Sequence, residues 1–261
     1  MMRGLFIAAI VLLLGAGGTY WYFSDIDQPR TLRVGVEGAY PPFNYVDQAG
    51  ALAGFDIDVA NALCQRLRMR CEFVQQNWDG MVPGLLMGKY DAIISSMSIT
   101  DKRKQMMNFT DPYYAALPVR FAARKDAGLQ ATPAGLAHKR IGVQRATVQE
   151  RLLRAKFPEA VPVLYDSEEA SEQDLKAGNI DLMMADQATL QDFLQSPAGQ
   201  GFDLVGSPMN DPAITGSGAG IALRQEDGDL LAALNKALAA IKADGTYRKL
   251  EAKYFNFDIG G

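Results

Sequence analysis

From Thr31 to the end of the chain, short apolar runs, polar loops and amphipathic stretches follow one another in the same order. That alternation constrains the fold more than any other feature: strands separated by helices pair as an α/β arrangement with largely parallel sheets. "TLRVGV" alternates as a strand, and "GFDIDVANALCQRL" places Val59, Ala60, Leu63, Cys64 and Leu67 on one helical face. "CEFVQQ" and "YDAIISS" predict the next strands. A helix in "DGMVPGLLMG", entered past Pro83, lies between them, and another opens at Thr100 or Asp101. A second run repeats the order, with strands in "VRFAARK", "RIGVQ", "VPVLYD" and "IDLMMAD" and helices in "VQERLLRAKF", "SEQDLKAG" and "QATLQDFLQS".

The two runs also echo each other. "GKYDAIISS" (88–96) and "GNIDLMMAD" (178–186) share a Gly, an Asp three residues on and a mostly apolar stretch, so Ser96 and Asp186 fall at matching positions. Two similar lobes facing each other are expected, the first from residues 30–114 with 220–261 and the second from 115–219. Hinge crossings fall near Ala115–Leu117 and Asp211–Gly218. The glycine-rich "GSGAGIALRQED" and the helices in "DLLAALNKALAAIKADG" and "TYRKLEAKYF" return to the first lobe, with Gly245 as a C-terminal cap.

The 261 residues carry 30 acidic and 26 basic side chains and no basic block, which argues against a nucleic-acid partner. Arg3 precedes "GLFIAAIVLLLGAGGTYWYFS", which is uncharged up to Asp25. As a helix, residues 4–23 would span roughly 30 Å, with "TYWYF" at the outer interface, as an uncleaved inner-membrane anchor does. The apolar run also has signal-peptide length, and Ala16-Gly17-Gly18 offers small residues for cleavage. Residues 1–29 are therefore an anchor or a signal peptide with its linker, and either places the body in the periplasm. Cys64 and Cys71 are expected to pair in such an oxidising compartment, two buried thiols being the other reading. With His138 in "AHKR" the single histidine, no metal site and no cofactor are expected.

Ligands of open α/β sheets bind beyond the carboxyl ends of the strands, where "SSMSITDKR" (95–103) gathers polar groups. Ser95, Ser96 and Ser98 offer hydroxyls and backbone N–H groups, and Arg103 a planar fork for a carboxylate. In the other lobe Thr147 and Glu150 have capping-box spacing, which would leave the amides of Thr147 and Val148 free for the same carboxylate. Asp186 could accept from an ammonium group, with Ser96 opposite. A carboxylate and an ammonium two bonds apart describe an α-amino acid. Glu37, Tyr40 and Trp78 lie on neighbouring loops where two aromatic faces and an acid would hold an aliphatic or cationic side chain. Each element has a plainer alternative: a solvated Arg103, an ordinary capped helix at Thr147, Asp186 as a simple cap, Glu37 at the surface and Trp78 in the core.

Taken together, "YPPF", "GFDIDVANALC", "WDGMVPGL", "DAIISSMSITDKR", "FTDPYY", "GVQ" with "QE", and "DGTYRKLEAKYF" resemble the periplasmic solute-binding proteins of polar amino acid ABC transporters. The similarity is to the lysine/arginine/ornithine, histidine and opine binders and covers roughly residues 31–260. It implies a two-lobed periplasmic-binding-protein-like (type II) α/β fold whose hinged cleft closes on an amino acid. By resemblance Arg103 with the amides of Ser98 and Val148 holds the α-carboxylate, and Ser96 and Asp186 hold the α-ammonium. Glu37 stands where basic-amino-acid binders carry an acid, Tyr40 and Trp78 match aromatic walls, and Cys64 and Cys71 match a bridge. Ala146 and Val148 depart from the glycine and hydroxyl residue common in relatives, and Gln144 replaces an apolar residue in some.

The expectation is a monomeric binding module that captures a cationic amino acid, arginine, lysine, ornithine or a derivative, and delivers it to an ABC transporter permease. Two rivals remain at this level. The resemblance extends to cyclohexadienyl dehydratases, which would use Glu37 or Asp186 as an acid, and a tethered sensor would bind the same ligand without uptake.

Overall fold

A computed structural model describes residues 30–260; the anchor or signal peptide expected over 1–29 lies outside them. The first sheet has the order β5 (Arg70–Gln75), β1 (Thr31–Val36), β6 (Ala92–Ile93), β13 (Ala222–Leu223) and β7 (Asn108–Phe109). The second has the order β10 (Val161–Tyr165), β9 (Arg140–Gln144), β11 (Leu182–Asp186), β8 (Val119–Arg124) and β12 (Phe202–Met209). A small antiparallel sheet of β2 (Ala39–Tyr40), β3 (Asn44–Val46) and β4 (Leu52–Ala53) adjoins the first.

The sheets are mixed, which corrects the expectation of largely parallel ones. β1 runs parallel to β5 and β6, and β9 parallel to β10 and β11. β8 is antiparallel to β11 and β12, and β13 antiparallel to β6 and β7. The reversed strands β8 and β13 each follow a passage from one lobe to the other, so the chain enters each sheet against its direction. The sequence pattern gives no strand at β12, an edge strand whose "GSP" reads as a turn and whose register shifts between Val205 and Met209.

The sequence echo has a structural counterpart. Asp91, just before β6, accepts from the Arg33 N–H of β1 at 3.0 Å, and Asp181, just before β11, accepts from the Arg140 N–H of β9 at 2.7 Å. In each lobe the residue before that aspartate covers a glycine of the neighbouring strand. A Cβ on Gly35 would lie 2.6 Å from the Tyr90 ring, and one on Gly142 would lie 2.4 Å from Ile180. The same lock thus sets the register of the central pair in both lobes.

β11 is apolar without alternation because both its faces are covered: Leu182 and Met184 enter one core, Met183 and Ala185 the other. In the first lobe α1 (Phe55–Leu67) lays Phe55, Val59, Ala60 and Leu63 against Leu32 and Val34. The Cys64–Cys71 disulfide ties α1 to β5, with an S–S length of 2.04 Å. α2 (Met81–Leu86) follows a 3-10 turn at Trp78–Gly80 and starts before Pro83, which sits in the first turn where its missing N–H costs nothing. Thr100 caps α3 (Asp101–Lys104).

On the second lobe, α4 (Val148–Lys156) follows β9. α5 (Glu168–Ala177) begins three residues before "SEQDLKAG", because the Ser167 hydroxyl accepts from the Ala170 N–H and nucleates the helix there. α6 (Gln187–Gln195) starts directly from β11. The second crossing contains α7 (Pro212–Thr215) and two glycines at φ 82 and 136. A Cβ on Gly216 would meet Ile99 O at 2.1 Å, and one on Gly218 would meet Tyr114 O at 2.5 Å, so no larger residue fits this close approach. α8 (Gly228–Ala243) and α9 (Thr246–Tyr254) then return to the first lobe, burying Leu234, Leu238, Ile241 and Tyr247 beside α1. Gly245 takes the left-handed conformation between them, at φ 80. No helix among the described residues is long and apolar enough to cross a membrane.

Candidate functional site

The carboxyl ends of β1, β6, β9 and β11 converge on one cavity of about 340 Å³ of atom-free space, mouth included. Its walls include Glu37, Tyr40, Trp78, Ser95, Ser96, Ser98, Arg103, Thr147, Val148 and Asp186, all of the residues the sequence reading brings forward. Gln144, Gln149 and Glu168 complete the lining. Both lobes contribute, and hydrogen bonds join them across the cleft.

Arg103 projects from α3 and is buried at 8% exposure. Its Nη1 donates to Ser98 O at 2.9 Å, and its guanidinium lies 5.3 Å from the centre of the Trp78 ring. Among the described residues it has no carboxylate partner, and burial, with the Arg151 charge adding to it, lowers its pKa to about 9. A buried guanidinium held this way keeps N–H groups and a charge that no anion among the described residues compensates, an arrangement suited to an anion. Trp78 closes the mouth on that side, donating Nε1–H to Ala146 O of the other lobe at 3.3 Å.

Ser96 lies in the left-handed region at φ 53 and is held there by two bonds. Its N–H donates to Tyr113 Oη at 2.9 Å and its hydroxyl to Asp56 Oδ2, also at 2.9 Å. Asp56, in the first turn of α1, is itself buried, and Asn44 Nδ2 and the Tyr113 hydroxyl also donate to it. With its proton committed to Asp56, the Ser96 oxygen presents its remaining lone pair to the cavity as an acceptor. Ser95 supports the wall differently, its hydroxyl accepting from the Glu37 N–H at 3.1 Å.

On the second lobe Thr147 caps α4, accepting from the Glu150 N–H, while its own hydroxyl donates to Gln144 O at 2.7 Å. The Glu150 carboxylate accepts from the Ala146 N–H instead of closing the box at Thr147. Ala146 stands at φ 60, the conformation glycine takes without steric cost. Asp186 precedes α6 but makes no side-chain cap. Its carboxylate accepts from the Tyr40 hydroxyl at 2.6 Å and from Gln149 Nε2 at 2.8 Å. Burial raises its pKa to about 6 against the pull of those two bonds. Glu37, 5% exposed, is pushed up to about 7 by burial, while the Gln144 amide that bonds it from the other lobe favours its charged form. For Glu168, burial first and then the Asp186 charge raise the pKa well above the usual carboxylate range.

Asp56, Gln149 and Glu168 escaped the sequence reading. Asp56 passes for a first-turn helix acid, and Gln149 follows a cap already explained. Glu168 falls outside a helix taken to begin at Ser171; the Ser167 cap would have placed it at the helix start.

Two mixed sheets, two crossings and a polar cleft with a fixed cation and several acids define a solute-binding architecture. The chain belongs to the bacterial extracellular solute-binding proteins, family 3, which match residues 32–257. It is 42% identical to the L-arginine-binding protein of Pseudomonas aeruginosa over 235 residues, 89% of this chain and 90% of that one. It is 41% identical to the histidine-binding periplasmic protein of Salmonella typhimurium over 236 residues, again 89% and 90%. A Salmonella typhimurium periplasmic binding protein described for its high arginine specificity superposes with a TM-score of 0.82 at 35% identity, covering 87% of this chain and 100% of the other.

Proposed function

We propose that this protein captures a cationic amino acid, with arginine the favoured ligand, and presents it as a monomer to the permease of an ABC importer. The charge balance of the cleft carries the reading. Glu37, Glu168 and Asp186 face a single buried cation, Arg103. A neutral zwitterion would satisfy Arg103 and one acid and leave the far end of the cavity negative; a cationic side chain supplies the missing charge at Glu37. In this reading Arg103 holds the α-carboxylate from the first lobe, with the amides around Val148 assisting from the second. Asp186 and the Ser96 oxygen hold the α-ammonium, and Tyr40 and Trp78 flank the side chain. The relatives named for arginine and histidine support the class, and the acid at Glu37 favours the guanidinium among its members.

Calorimetric titration with arginine, lysine, ornithine, histidine, glutamine and glutamate tests it. Binding of arginine or another cationic member ahead of glutamine and glutamate is expected. Tight binding of glutamate with none of the cationic members would refute it.

A further inference from the structure

Glu168 opens α5 of the second lobe, is 5% exposed and lines the cavity with Asp186. α5 meets the first lobe at β2, which carries Tyr40. The groups around the Glu168 carboxyl are mostly acids or neutral. Asp186 acts on it from the end of β11, Glu172 from one turn along α5 and Glu37 from the first lobe, and the Thr189 hydroxyl of α6, which donates to Asp186 O at 2.9 Å, lies beside it. Tyr40 faces both Glu168 and Asp186. Of the groups on β9, β10 and the turns after them, Tyr165 is bonded to Asp174, and Arg145 pairs with Asp166 at the surface. Lys176 of α5 acts on Glu172. Among the described residues Glu168 therefore has no cationic partner, although one buried acid, Asp186, already stands at this end of the cavity with two donors of its own.

We propose that Glu168 is a ligand-binding residue that forms, with Asp186, a paired-carboxyl seat for the α-ammonium of the ligand, which displaces a proton shared by the pair in the empty cleft. The inference rests on the amino-acid reading of the cleft and adds a residue and a proton to it. Two carboxyls buried in one cavity with no cation between them do not both ionise freely, so a proton stays with them while the cleft is empty. An arriving ammonium supplies that counter-charge, and the proton leaves to the buffer. Burial and the neighbouring acid raise the affinity of Glu168 for a proton, which is the direction this exchange requires. Binding therefore strengthens as pH rises through the range in which the pair holds its proton, by up to about tenfold per pH unit for one proton released.

The test is titration with L-arginine in phosphate and in ACES, whose ionisation heats differ, between about pH 6 and about 7.5. The difference in heat counts the protons released. Release is expected from the wild-type protein, reduced release with a shallower pH dependence from Glu168→Gln, and retained release from Glu168→Asp. A purely structural role would change affinity and leave the proton count alone. Equal counts in the wild type and Glu168→Gln overturn the proposal while the amino-acid reading stands; no binding of arginine, lysine or histidine by the wild type overturns both. Should Glu168→Gln fail to fold, the count in Glu37→Gln, where Glu37 contributes nothing, decides: no release there overturns the proposal.

Discussion

The Tyr40 hydroxyl on the first lobe donates to Asp186 of the second at 2.6 Å, so the lobes are latched by an acid that is also the proposed seat of the ligand. Gln144 bonding Glu37 and Trp78 bonding Ala146 make the same kind of bridge. The closed cleft is thus held partly by groups proposed to serve the ligand.

Removing the latch should open the empty protein. Tyr40→Phe deletes a charge-assisted bond worth about 1.5–3 kcal/mol and leaves the ring in place. The closed fraction of ligand-free protein is expected to fall about tenfold or more, as read by fluorescence transfer between dyes on the two lobes or by the radius of gyration in solution scattering. An unchanged distance distribution would contradict the latch.

Arg103 holds a buried charge that only an anion compensates. Arg103→Met keeps much of the volume and removes the cation, so arginine affinity should fall by about 2–5 kcal/mol. The ligand-free variant should melt no lower than wild type, and by as much as about 1 kcal/mol higher in stability, since an uncompensated buried ion opposes folding. Thermal melting with and without arginine reads both effects.

Glu37→Gln should cost cationic ligands about 1.5–3 kcal/mol and leave glutamine binding unchanged or improved, as measured by calorimetry. The same variant tests a pH effect. Glu37 is raised to about 7 and Asp186 to about 6 in the folded protein, so both prefer to be protonated there. Their contribution to stability is full below the unfolded-chain value of about 4 and is lost as pH rises through about 6 to about 7. The melting temperature of wild type relative to Glu37→Gln should therefore decline between about pH 5 and about 8 without ligand. A constant difference would show that Glu37 keeps its ordinary pKa.

The Cys64–Cys71 bridge closes a short loop, with a sequence separation of 7. On loop entropy, replacing both cysteines with serine should lower stability by roughly 2–3 kcal/mol. Arginine affinity should change little, because neither cysteine lines the cavity. Denaturant unfolding and calorimetry on the variant check the two parts separately.

Local rules made much of this protein legible in its sequence. Helical periodicity over Phe55–Leu67, the Thr100 and Thr147 caps and the matching stretches 88–96 and 178–186 depend on neighbours along the chain, and each has its structural counterpart. Residues at strand ends followed from the rule that α/β sheets bind ligands there, which is why the serines, Arg103 and Asp186 were within reach. Strand direction after each crossing was not, since antiparallel entry of β8 and β13 depends on how the lobes stand to one another. Nor was the electrostatic character of the site. Asp56 and Glu168 read as ordinary acids in sequence, and Glu37 as a ligand-pairing acid with no sign of its raised pKa; only packing removes water from around them, and desolvation is what turns a carboxylate near a helix start or strand end into a group that holds a proton or demands a cation.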